Sequence, residues 1–493
     1  MALFLVVTHG SDGDVLPFVG LGAALVRAGH RAVLLTHAPY RSAAEGAGLD
    51  FAAIDGETEF ESVLADTPGL LGSAPHQAGW AGFYRRNALF EQIAAECRTL
   101  ADLHVPGGTV LVGRHTSAVS VRFAAELLDA PVAWVALAPT QLLAVPVAAY
   151  LYGAELAAGL QEVRDGLGLP EVPDWRAWFT GADAELGLWP GWFDAAGPRA
   201  PARVSLTGFP LADTSARALG ARPPSSDDPF DGLLPIGTRP VLATGGTGRM
   251  LAADYYPALL AAAGRTGLPT LVVVRHRDLL PDALPENVRW SPGLDFARAV
   301  PHAAALVHHG GIGTLARALA AGTPQVLMAD GVDRPDNAAR LSRLGLARTV
   351  PADRWRTPEL AAAIGAAAAD HDLPLRAAAV TGPQRPTEAL DAAAARLAGL
   401  LTDPPRPRAL RGSSAADRAL HGLSPADRAR LRERLRERLH ERRAAAAPAT
   451  APPTAATPTA ATPTAAAPAT VTPTAVTPTS VTPTAAPAPE EAR

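Results

Sequence analysis

A glycine-rich segment at residues 308–314, with the sequence HHGGIGT, constrains the fold of this 493-residue chain more than any other stretch. An apolar run at residues 303–307 leads into it and predicts a buried strand. A helical pattern at residues 315–321 follows and ends in a Gly-Thr-Pro stop signal, and residues 325–329 predict a further strand. This order of strand, glycine turn, helix and strand is typical of a parallel α/β sheet.

The turn of this unit has the chemistry of an anion site. Glycine lets the backbone approach a ligand closely, and the N–H groups at a helix N-terminus carry partial positive charge. The Thr314 hydroxyl and the His309 ring N–H add two donors. The pattern G-x-G-x-x-A at residues 311–316, with Asp330 further along, also fits the dinucleotide fingerprint, so NAD(P) and other nucleotide diphosphates both remain open as ligands.

A longer spaced pattern resembles the donor-binding signature of the GT-B, family 1-type glycosyltransferases, most closely their bacterial antibiotic and sterol glucosyltransferase group. It joins HHGGIGT to AGTP at residues 321–324, DRPDNA at 333–338 and LGL at 344–346. The resemblance implies an α/β chain of GT-B fold, with two facing Rossmann-like domains, that binds a UDP- or dTDP-sugar. It implies that the donor contacts five residues of the turn: His309, Gly311, Ile312, Gly313 and Thr314.

Two further stretches resemble donor contacts of the same family. The turn GGTG at residues 245–248 would lie under the donor phosphates through Gly246 and Thr247, although a plain turn between strand and helix has the same pattern. Trp290, in a W-x-P stretch, would stack on uracil or thymine, and Gly293 replaces the Gln that the family has there. A core indole is the alternative for Trp290.

Asp333 and Arg334 align with the family's D-Q pair, which grips the sugar hydroxyls. Arg334 replaces Gln, and a guanidinium only donates hydrogen bonds, whereas an amide also accepts them. The change leaves four interpretations open: a sugar other than glucose, a lost contact, a pairing with a phosphate or sugar carboxylate, and an ordinary surface charge.

The N-terminus repeats the same kind of opening. Residues 2–7 predict a buried strand, residues 9–14 form a polar loop, and Pro17 marks the predicted start of a helix. The loop resembles the family's G-S-R-G-D-V-Q-P stretch, with Asp12 in place of Arg and Leu16 in place of Gln. By resemblance, this loop faces the acceptor across the interdomain cleft.

Asp14 holds the position that the resemblance gives to the catalytic base, and His9 is a second candidate. The ordinary alternatives are a helix N-terminal acid for Asp14 and a polar loop residue for His9. The sequence Asp12-Gly13-Asp14 also fits a D-x-D metal motif of a different glycosyltransferase fold. The flanking strand and helix favour the GT-B opening instead, so we expect no metal and no cofactor besides the nucleotide-sugar co-substrate.

Alternating strand and helix patterns predict two domains followed by extra segments. The tail is a Thr/Pro/Ala repeat that cannot bury a core, so we expect it to be disordered. The charged helix before it has a thin leucine stripe. This stripe could contact the globular part, a partner or acidic lipid, or the helix could simply be solvated. The predicted segments are an acceptor-binding domain at 1–212, a linker at 213–239, a nucleotide-sugar-binding domain at 240–402, the charged helical extension at 403–443 and the tail at 444–493. By resemblance, the last helix of the globular part, near 386–401, crosses back onto the first domain.

Composition narrows the function classes. A net charge of −4 provides no basic field for nucleic acid. A single cysteine, Cys97, excludes an internal disulfide framework and suits a reducing compartment, so we expect a cytoplasmic protein. No apolar run of about 18 residues predicts a transmembrane helix, which leaves only peripheral contact with a membrane.

The resemblance implies inverting, metal-independent transfer of a sugar from a UDP- or dTDP-sugar to a hydroxyl of a lipophilic small molecule, such as a secondary metabolite, sterol or lipid. One alternative is an NAD(P)-dependent oxidoreductase that uses the 311–316 fingerprint. Another is a non-catalytic nucleotide-sugar-binding helper, which the departures at Leu16 and Arg334 motivate.

Overall fold

The computed structural model describes residues 1–70, 79–211, 228–382 and 385–402. The predicted charged extension and tail lie outside the described residues, as does the first part of the predicted linker. The described residues form two parallel β-sheets within one compact unit.

The first sheet is built from apolar runs that are largely buried, as expected for a parallel sheet covered on both faces. Its strands are β1 Leu3–Val7, β2 Arg31–Thr36, β3 Asp50–Ala53, β4 Thr109–Arg114, β5 Val132–Ala136, β6 Ala184–Gly187 and β7 Ser205–Leu206. All neighbouring pairs are parallel, and the spatial order is β3-β2-β1-β4-β5-β6-β7.

The second sheet repeats this plan. Its strands are β8 Val241–Thr244, β9 Thr270–Val273, β10 Val288–Ser291, β11 Ala305–His308, β12 Gln325–Leu327 and β13 Arg348–Thr349. They are parallel in the order β10-β9-β8-β11-β12-β13. Both halves are therefore Rossmann-like, as predicted.

Helices connect the strands and cover the sheets. Between Met1 and Leu211 they are α1 Asp12–Arg27, α2 Arg41–Gly46, α3 Glu57–Asp66, α4 Gly79–Arg86, α5 Leu89–Leu103, α6 Val119–Leu128, α7 Pro139–Leu143, α8 Val145–Tyr150, α9 Ala157–Leu167, α10 Trp175–Phe179 and α11 Gly191–Ala195. Later helices are α12 Tyr255–Thr266, α13 Phe296–Ala299, α14 Ile312–Ala321, α15 Arg334–Arg343, α16 Pro358–Ala368, α17 Leu373–Thr381 and α18 Glu388–Thr402. Single 3-10 or π turns occur at Ala38–Tyr40, Thr67–Leu70, Leu151–Glu155, Arg277–Leu279, Val300–His302 and Ala352–Arg354. None of the helices within these described ranges is long and apolar enough to cross a bilayer.

In each sheet the strand order reverses beside the first strand, between β1 and β4 and between β8 and β11. Ligands of open α/β sheets bind outside the carboxyl ends of the strands at such a switch point. The first crevice therefore lies between the loops after Val7 and Arg114, and the second lies between the loops after Thr244 and His308. Three of these loops hold the predicted site residues on the glycine turns and the N-terminal loop.

The predicted start of the first helix is wrong. α1 begins at Asp12, so Pro17 lies inside the helix rather than at its first position. Ser11 is the N-cap, and the Asp14 carboxylate accepts its backbone N–H at 3.0 Å. This capping interaction and the acidic first turn favour the earlier start, and Pro17 removes only the bond that its own N–H would have donated.

Apolar side chains from both halves share one core beside the cleft, including Phe193 and Val204 of the first half and Leu315 and Leu341 of the second. Arg340 of α15 is buried there and donates to the carbonyls of Phe193, Asp194 and Pro198. The two halves therefore meet in a packed wall as well as across the cleft.

The last helix, α18, packs on the first sheet, as expected. Its Leu390 and Leu397 join the core that contains Phe18 and Leu25 of α1, and Arg27 pairs with Asp391 at 2.6 Å. The described end of the predicted linker, residues 228–239, packs in part on the second half through the buried Phe230.

Candidate active site

The glycine turn of the second crevice is held by a buried imidazole. Nδ1 of His308 accepts the Gly310 N–H at 3.1 Å, and Nε2 lies 3.0 Å from Oε1 of Gln325. Burial lowers the pKa of His308 to about 4, so the ring is neutral at pH 7 and can accept at one nitrogen while it donates at the other. Gly310 has a φ of +90°, a backbone conformation that glycine adopts without strain.

The ring of His309 lies between glycines of two loops. A Cβ at Gly311 would lie 2.4 Å from its Nε2, and a Cβ at Gly246 would lie 2.8 Å from its Cε1. The turn after β8, with Gly246 and Thr247, is thereby brought against the turn after β11. Burial, the Arg334 cation and His308 hold the pKa of His309 well below its usual value, so this ring is also neutral. Its Nδ1 has no hydrogen-bond partner among the described residues.

Helix α14 begins directly after this turn, with Gly311 as its N-cap. The N–H groups of Ile312 and Gly313 lie in its first turn, where no preceding helical carbonyl can accept them. The Thr314 N–H bonds back to the Gly311 carbonyl at 3.1 Å, which leaves the Thr314 hydroxyl as a further donor. A Cβ at Gly313 would meet no atom within 4 Å, so there is open space beside these amides for an anion.

Asp333 lies at the N-cap of α15, close to the same turn. Nδ2 of Asn337 donates to Asp333 at 2.9 Å and to the Gly310 carbonyl at 3.1 Å, and so it ties the two loops together. Burial raises the pKa of Asp333, although the Asn337 bond acts in the opposite direction.

Arg334 ties α15 to the turn after β8. Its Nη1 donates to the Met250 carbonyl at 2.6 Å and to the Asp330 carbonyl at 3.2 Å. The residue two positions earlier, Val332, has a φ of +57°, which is strained for a β-branched side chain. The loop that the resemblance assigns to the donor sugar is thus held in one unusual conformation by side-chain bonds to the backbone.

Trp290 lies on β10, at the rim of this half. Its Nε1 donates to the Val274 carbonyl at 2.9 Å, and the Arg277 guanidinium lies over the ring, 5.7 Å from its centroid. Arg277 is fixed by a bond of 2.9 Å to the Leu280 carbonyl. These contacts orient the half-buried indole. A base that stacks on it would meet Arg277 as well.

The first crevice carries a histidine–carboxylate pair. Nε2 of His9, which is 19% exposed, lies 2.8 Å from Oε1 of Glu96, which is 1% exposed. Glu96 also accepts bonds from the Ser120 hydroxyl and from Nε2 of Gln92. Burial alone would raise the pKa of Glu96, but the charge and bond of His9 and the other two bonds lower it below its usual value. Glu96 is thus an ionised carboxylate held against His9.

Asp14 is engaged differently. Nη2 of Arg114 pairs with its Oδ1 at 2.7 Å, while its Oδ2 accepts the Ser11 N–H. The sequence motif places Asp12 two residues away, but Asp12 pairs with Arg275 at 2.7 Å and accepts the Tyr40 hydroxyl. The two carboxylates therefore have separate arginine partners. Within the described ranges, no group of three or more His, Cys, Asp or Glu side chains could hold a metal ion.

The two crevices meet at their loops. Asp12 belongs to α1 and Arg275 follows β9, so their ion pair crosses from one half to the other. A Cβ at Gly248 would lie 3.8 Å from the Ser11 side chain. The predicted residues of the N-terminal loop and of the turn at residues 245–248 thus face one cleft.

Sequence reasoning missed three residues that bond to His9 or Gly10 of the N-terminal loop. They are Glu96, Arg114 and His37. Glu96 shares the buried face of α5 with Ile93 and Leu100, and a charge on an apolar helix face is a usable signal. Arg114 ends the strand next to β1, where the switch-point rule directs attention once the strand order is known. His37 follows β2, and nothing in its sequence neighbourhood distinguishes it.

Two Rossmann-like domains that face each other across a cleft define the GT-B class of fold. Solved structures agree. The glycotransferase of kitacinnamycin matches with a TM-score of 0.59 at 20% identity, over 81% of this chain and 99% of that one. The glycosyltransferase VinC in complex with dTDP matches with a TM-score of 0.58 at 17% identity, over 81% and 99% of the two chains.

Sequence comparison finds partial matches. Residues 259–387 match the family described as erythromycin biosynthesis protein CIII-like, C-terminal domain. O-mycaminosyltylonolide 6-deoxyallosyltransferase of Streptomyces fradiae is 36% identical over 179 residues, which cover 36% of this chain and 40% of the length of that relative. By fold the chain belongs to the GT-B class, and part of its sequence is similar to family 1-type glycosyltransferases.

Proposed function

We propose that the protein transfers a sugar from a nucleoside diphosphate to a hydroxyl of a lipophilic small molecule, with inversion and without a metal ion. The observation that carries the proposal is that the N-terminal loop, which carries His9, approaches the loops of the second crevice across one cleft. The ion pair from Asp12 to Arg275 and the approach of Ser11 to Gly248 bring the two loops together. An alcohol on one side can then meet a sugar diphosphate on the other.

The base in this proposal is His9 rather than Asp14. Both oxygens of Asp14 are engaged, by Arg114 and by Ser11, whereas only Nε2 of His9 is bonded to Glu96. Nδ1 of His9 accepts the proton of the acceptor hydroxyl as that oxygen attacks the anomeric carbon. Glu96 stabilises the imidazolium that forms, which is the role of the carboxylate in a catalytic triad.

The leaving group departs on the other side. As the new carbon–oxygen bond forms, the bond from the anomeric carbon to the diphosphate breaks, and its electron pair leaves with the diphosphate. The N–H groups of Ile312 and Gly313, the Thr314 hydroxyl and the dipole of α14 then stabilise the added negative charge. Since fixed dipoles supply this stabilisation, we infer that the reaction proceeds without a metal.

The nucleotide in this proposal is UDP or dTDP, and the acceptor is apolar. The VinC structure contains dTDP, and the relative from S. fradiae is named as a 6-deoxyallosyltransferase that acts on O-mycaminosyltylonolide. On the acceptor side, the Tyr152 hydroxyl donates to the Thr116 carbonyl at 2.9 Å, next to Arg114, and lies 3.3 Å from the Tyr84 hydroxyl. Trp80 on α4 and Tyr150 on α8 are exposed, whereas Tyr152 is buried in the core. Exposed aromatic side chains of this kind suit a lipophilic acceptor.

Thermal unfolding with UDP, dTDP, GDP and NADH tests the donor half. A ligand at 100 times its Kd stabilises the native state by about 2.7 kcal/mol, and we expect that effect from UDP or dTDP. Stabilisation by NADH alone would support the oxidoreductase alternative. Nucleotide binding without any hydrolysis or transfer of UDP-glucose or dTDP-glucose would support the helper.

Replacement of the two candidate bases tests the acceptor half. His9→Ala should lower the transfer rate by about 100-fold or more, the usual contribution of a general base, without weakening nucleotide binding. Asp14→Asn should have the smaller effect, since the amide can still accept the Ser11 N–H. A larger loss in Asp14→Asn than in His9→Ala would reverse the assignment.

A further inference from the structure

One peptide group next to His9 is held from both sides. The N–H of Gly10 donates to Nε2 of His37 at 2.9 Å, and the carbonyl of His9 accepts from Nη1 of Arg114 at 3.1 Å. These two atoms belong to the same peptide unit, which joins His9 to Gly10. His37 follows β2 and Arg114 ends β4, the two strands that flank β1. The grip therefore uses the sheet on both sides of the loop.

His37 is itself fixed. It is buried, and its Nδ1 lies 2.6 Å from Oδ2 of Asp55, whose other oxygen accepts the Ala38 N–H at 3.2 Å. Its ring also packs on Phe60, with centroids 4.4 Å apart. Asp55 thereby places the proton on Nδ1 and leaves Nε2 as an acceptor for Gly10. His37 and Asp55 thus form a second histidine–carboxylate pair, in addition to that of His9 and Glu96.

Arg114 is fixed in a similar way. Besides the His9 carbonyl, its Nη1 donates to the Ser117 hydroxyl at 3.2 Å, and its Nη2 pairs with Asp14. One planar guanidinium thus holds the start of α1 and the His9–Gly10 peptide at a set distance. Gly10 has a φ of +116°, so the backbone turns sharply where these bonds act.

We propose that His37 and Arg114 are positioning residues which fix the His9–Gly10 peptide and thereby aim the His9 ring at the acceptor hydroxyl. The inference rests on the proposed role of His9 as base. The physical reason is that rotation of this peptide would swing the Cα–Cβ bond of His9, and a displacement of about 1 Å can cost about 100-fold in rate. Glu96 holds only the far end of the ring, so the backbone end needs a separate restraint.

The first test measures the grip itself. In His37→Phe the ring can still pack on Phe60, but the acceptor for the Gly10 N–H is lost. We expect hydrogen exchange of the Gly10 amide to accelerate at least tenfold, read by NMR. The matched control is His30→Phe, since Nδ1 of His30 accepts the Ala2 N–H at 3.3 Å at the opposite end of β1. In that control, Gly10 exchange should stay as in the wild type.

The second test measures the consequence for transfer, with dTDP-glucose and UDP-glucose as donors and a long-chain primary alcohol as acceptor. His37→Phe should lower kcat about 10- to 100-fold, while the Kd of dTDP or UDP stays within about twofold. Arg114→Lys approaches the same peptide from the other side. It keeps the charge opposite Asp14 but loses the fork, so we expect the same loss. Arg31→Lys, in the surface pair with Asp50, is its control.

A double-mutant cycle decides whether these residues act through His9. In a His9→Ala background, His37→Phe and Arg114→Lys should each change the remaining rate less than about threefold. Equal losses in both backgrounds would show a general structural role and overturn the inference, as would wild-type exchange and rates in both single variants. If His9→Ala alone retains full transfer, the assigned base is wrong and the inference falls with it. If only the positioning role is wrong, the result differs: His9→Ala is impaired, whereas His37→Phe and Arg114→Lys are not.

Discussion

The first crevice is built around paired ionised side chains, whereas the glycine turn of the second is built from backbone amides and neutral imidazoles, with the Arg334 cation beside it bonded to backbone carbonyls. In the first, Glu96 faces His9 and Arg114 faces Asp14, so each charge has a partner at 2.8 Å or less. In the second, burial keeps His308 and His309 uncharged, and the helix N-terminus supplies the positive potential. The first crevice therefore holds a fixed counter-charge beside an imidazole, while the glycine turn of the second offers backbone N–H donors.

This difference follows from the two chemical tasks proposed for the halves. A base must become charged during the reaction, so its surroundings need a fixed counter-charge. A diphosphate brings its own charge and must leave after each turnover, so amide dipoles that do not need a counter-ion are sufficient. The following tests address that contrast, from the largest expected effect to the smallest.

Removing the charge from Glu96 is the most direct test of whether the first crevice needs a fixed counter-charge. Glu96→Gln keeps the shape and can still accept from Ser120, but it leaves the imidazolium without a counter-charge. We expect kcat for transfer to fall about 100-fold, with the donor Kd unchanged, in steady-state kinetics. Glu185→Gln is the control, because Glu185 is also buried but lies on β6 and pairs with Arg203 instead of a histidine. A wild-type rate in Glu96→Gln would mean that the first crevice needs no fixed charge.

The neutrality of the second crevice has a consequence for stability. The folded-state pKa of His308 is about 4, below the value of about 6.5 for an unfolded chain, so below pH 6.5 the unfolded state binds the extra proton first. Stability should therefore fall as pH falls from 7 toward 4. Between pH 7 and pH 5 this group contributes a loss of about 2 kcal/mol.

Urea unfolding at pH 7 and at pH 5 measures this loss. His308→Gln should lose about 2 kcal/mol less than the wild type over that interval, whatever its stability at pH 7. His371→Gln, at an exposed position, should follow the wild type. If His308→Gln also follows the wild type, the pKa of His308 is not lowered in the folded protein, and the contrast between the crevices weakens.

The sequence predicted the glycine turn of the candidate site more fully than the histidine–carboxylate pair. The turn at residues 308–314 is contiguous, and its glycines are needed for local reasons, so a pattern along the chain can show it. The partners of His9 come from distant segments: Glu96 from α5, Arg114 from β4 and His37 from the end of β2. Only the strand order brings them together, and that order is not written in any one motif.

The errors in the predicted elements have local causes. The start of α1 was placed at Pro17 because proline is common at the first helical position, but the Ser11 and Asp14 caps set the start earlier. The strands β3, β6 and β13 are difficult to recognise in the sequence because they are short and have mixed polarity, with Asp50, Glu185 and Arg348 among their residues. β3 and β13 are also edge strands, which need fewer apolar residues, whereas β6 lies inside its sheet.

A single methyl group can sharpen the claim that the second crevice binds through its backbone. Gly313→Ala introduces a Cβ that meets no protein atom within 4 Å, so the fold should be kept and the helix slightly favoured. If the diphosphate lies against these amides, the methyl group will crowd it, and we expect the Kd of dTDP or UDP to rise about tenfold, or about 1.4 kcal/mol, by calorimetry.

Gly365→Ala is the matched control for this change. It also adds a Cβ with no atom within 4 Å, but on α16, and should raise the melting temperature slightly without changing nucleotide affinity. Gly311→Ala differs from both, because its Cβ would strike His309. Unchanged nucleotide affinity in Gly313→Ala would place the diphosphate elsewhere.

The smallest effect should come from the ion pair that joins the two crevices. Arg275 is 43% exposed, and Asp12 keeps the Tyr40 hydroxyl when the guanidinium is removed, so Arg275→Met should lower stability by about 1 kcal/mol or less. The packed wall around Arg340 still holds the two halves together. We therefore expect the donor KM to change no more than about threefold, with Arg31→Met as a surface control for the loss of one arginine.

A rise of tenfold or more in the donor KM, with stability unchanged, would show that Arg275 leaves Asp12 to meet the diphosphate. In that case the second crevice would use an ionised side chain after all, and the division between a charged half and a dipolar half would hold only before the donor binds.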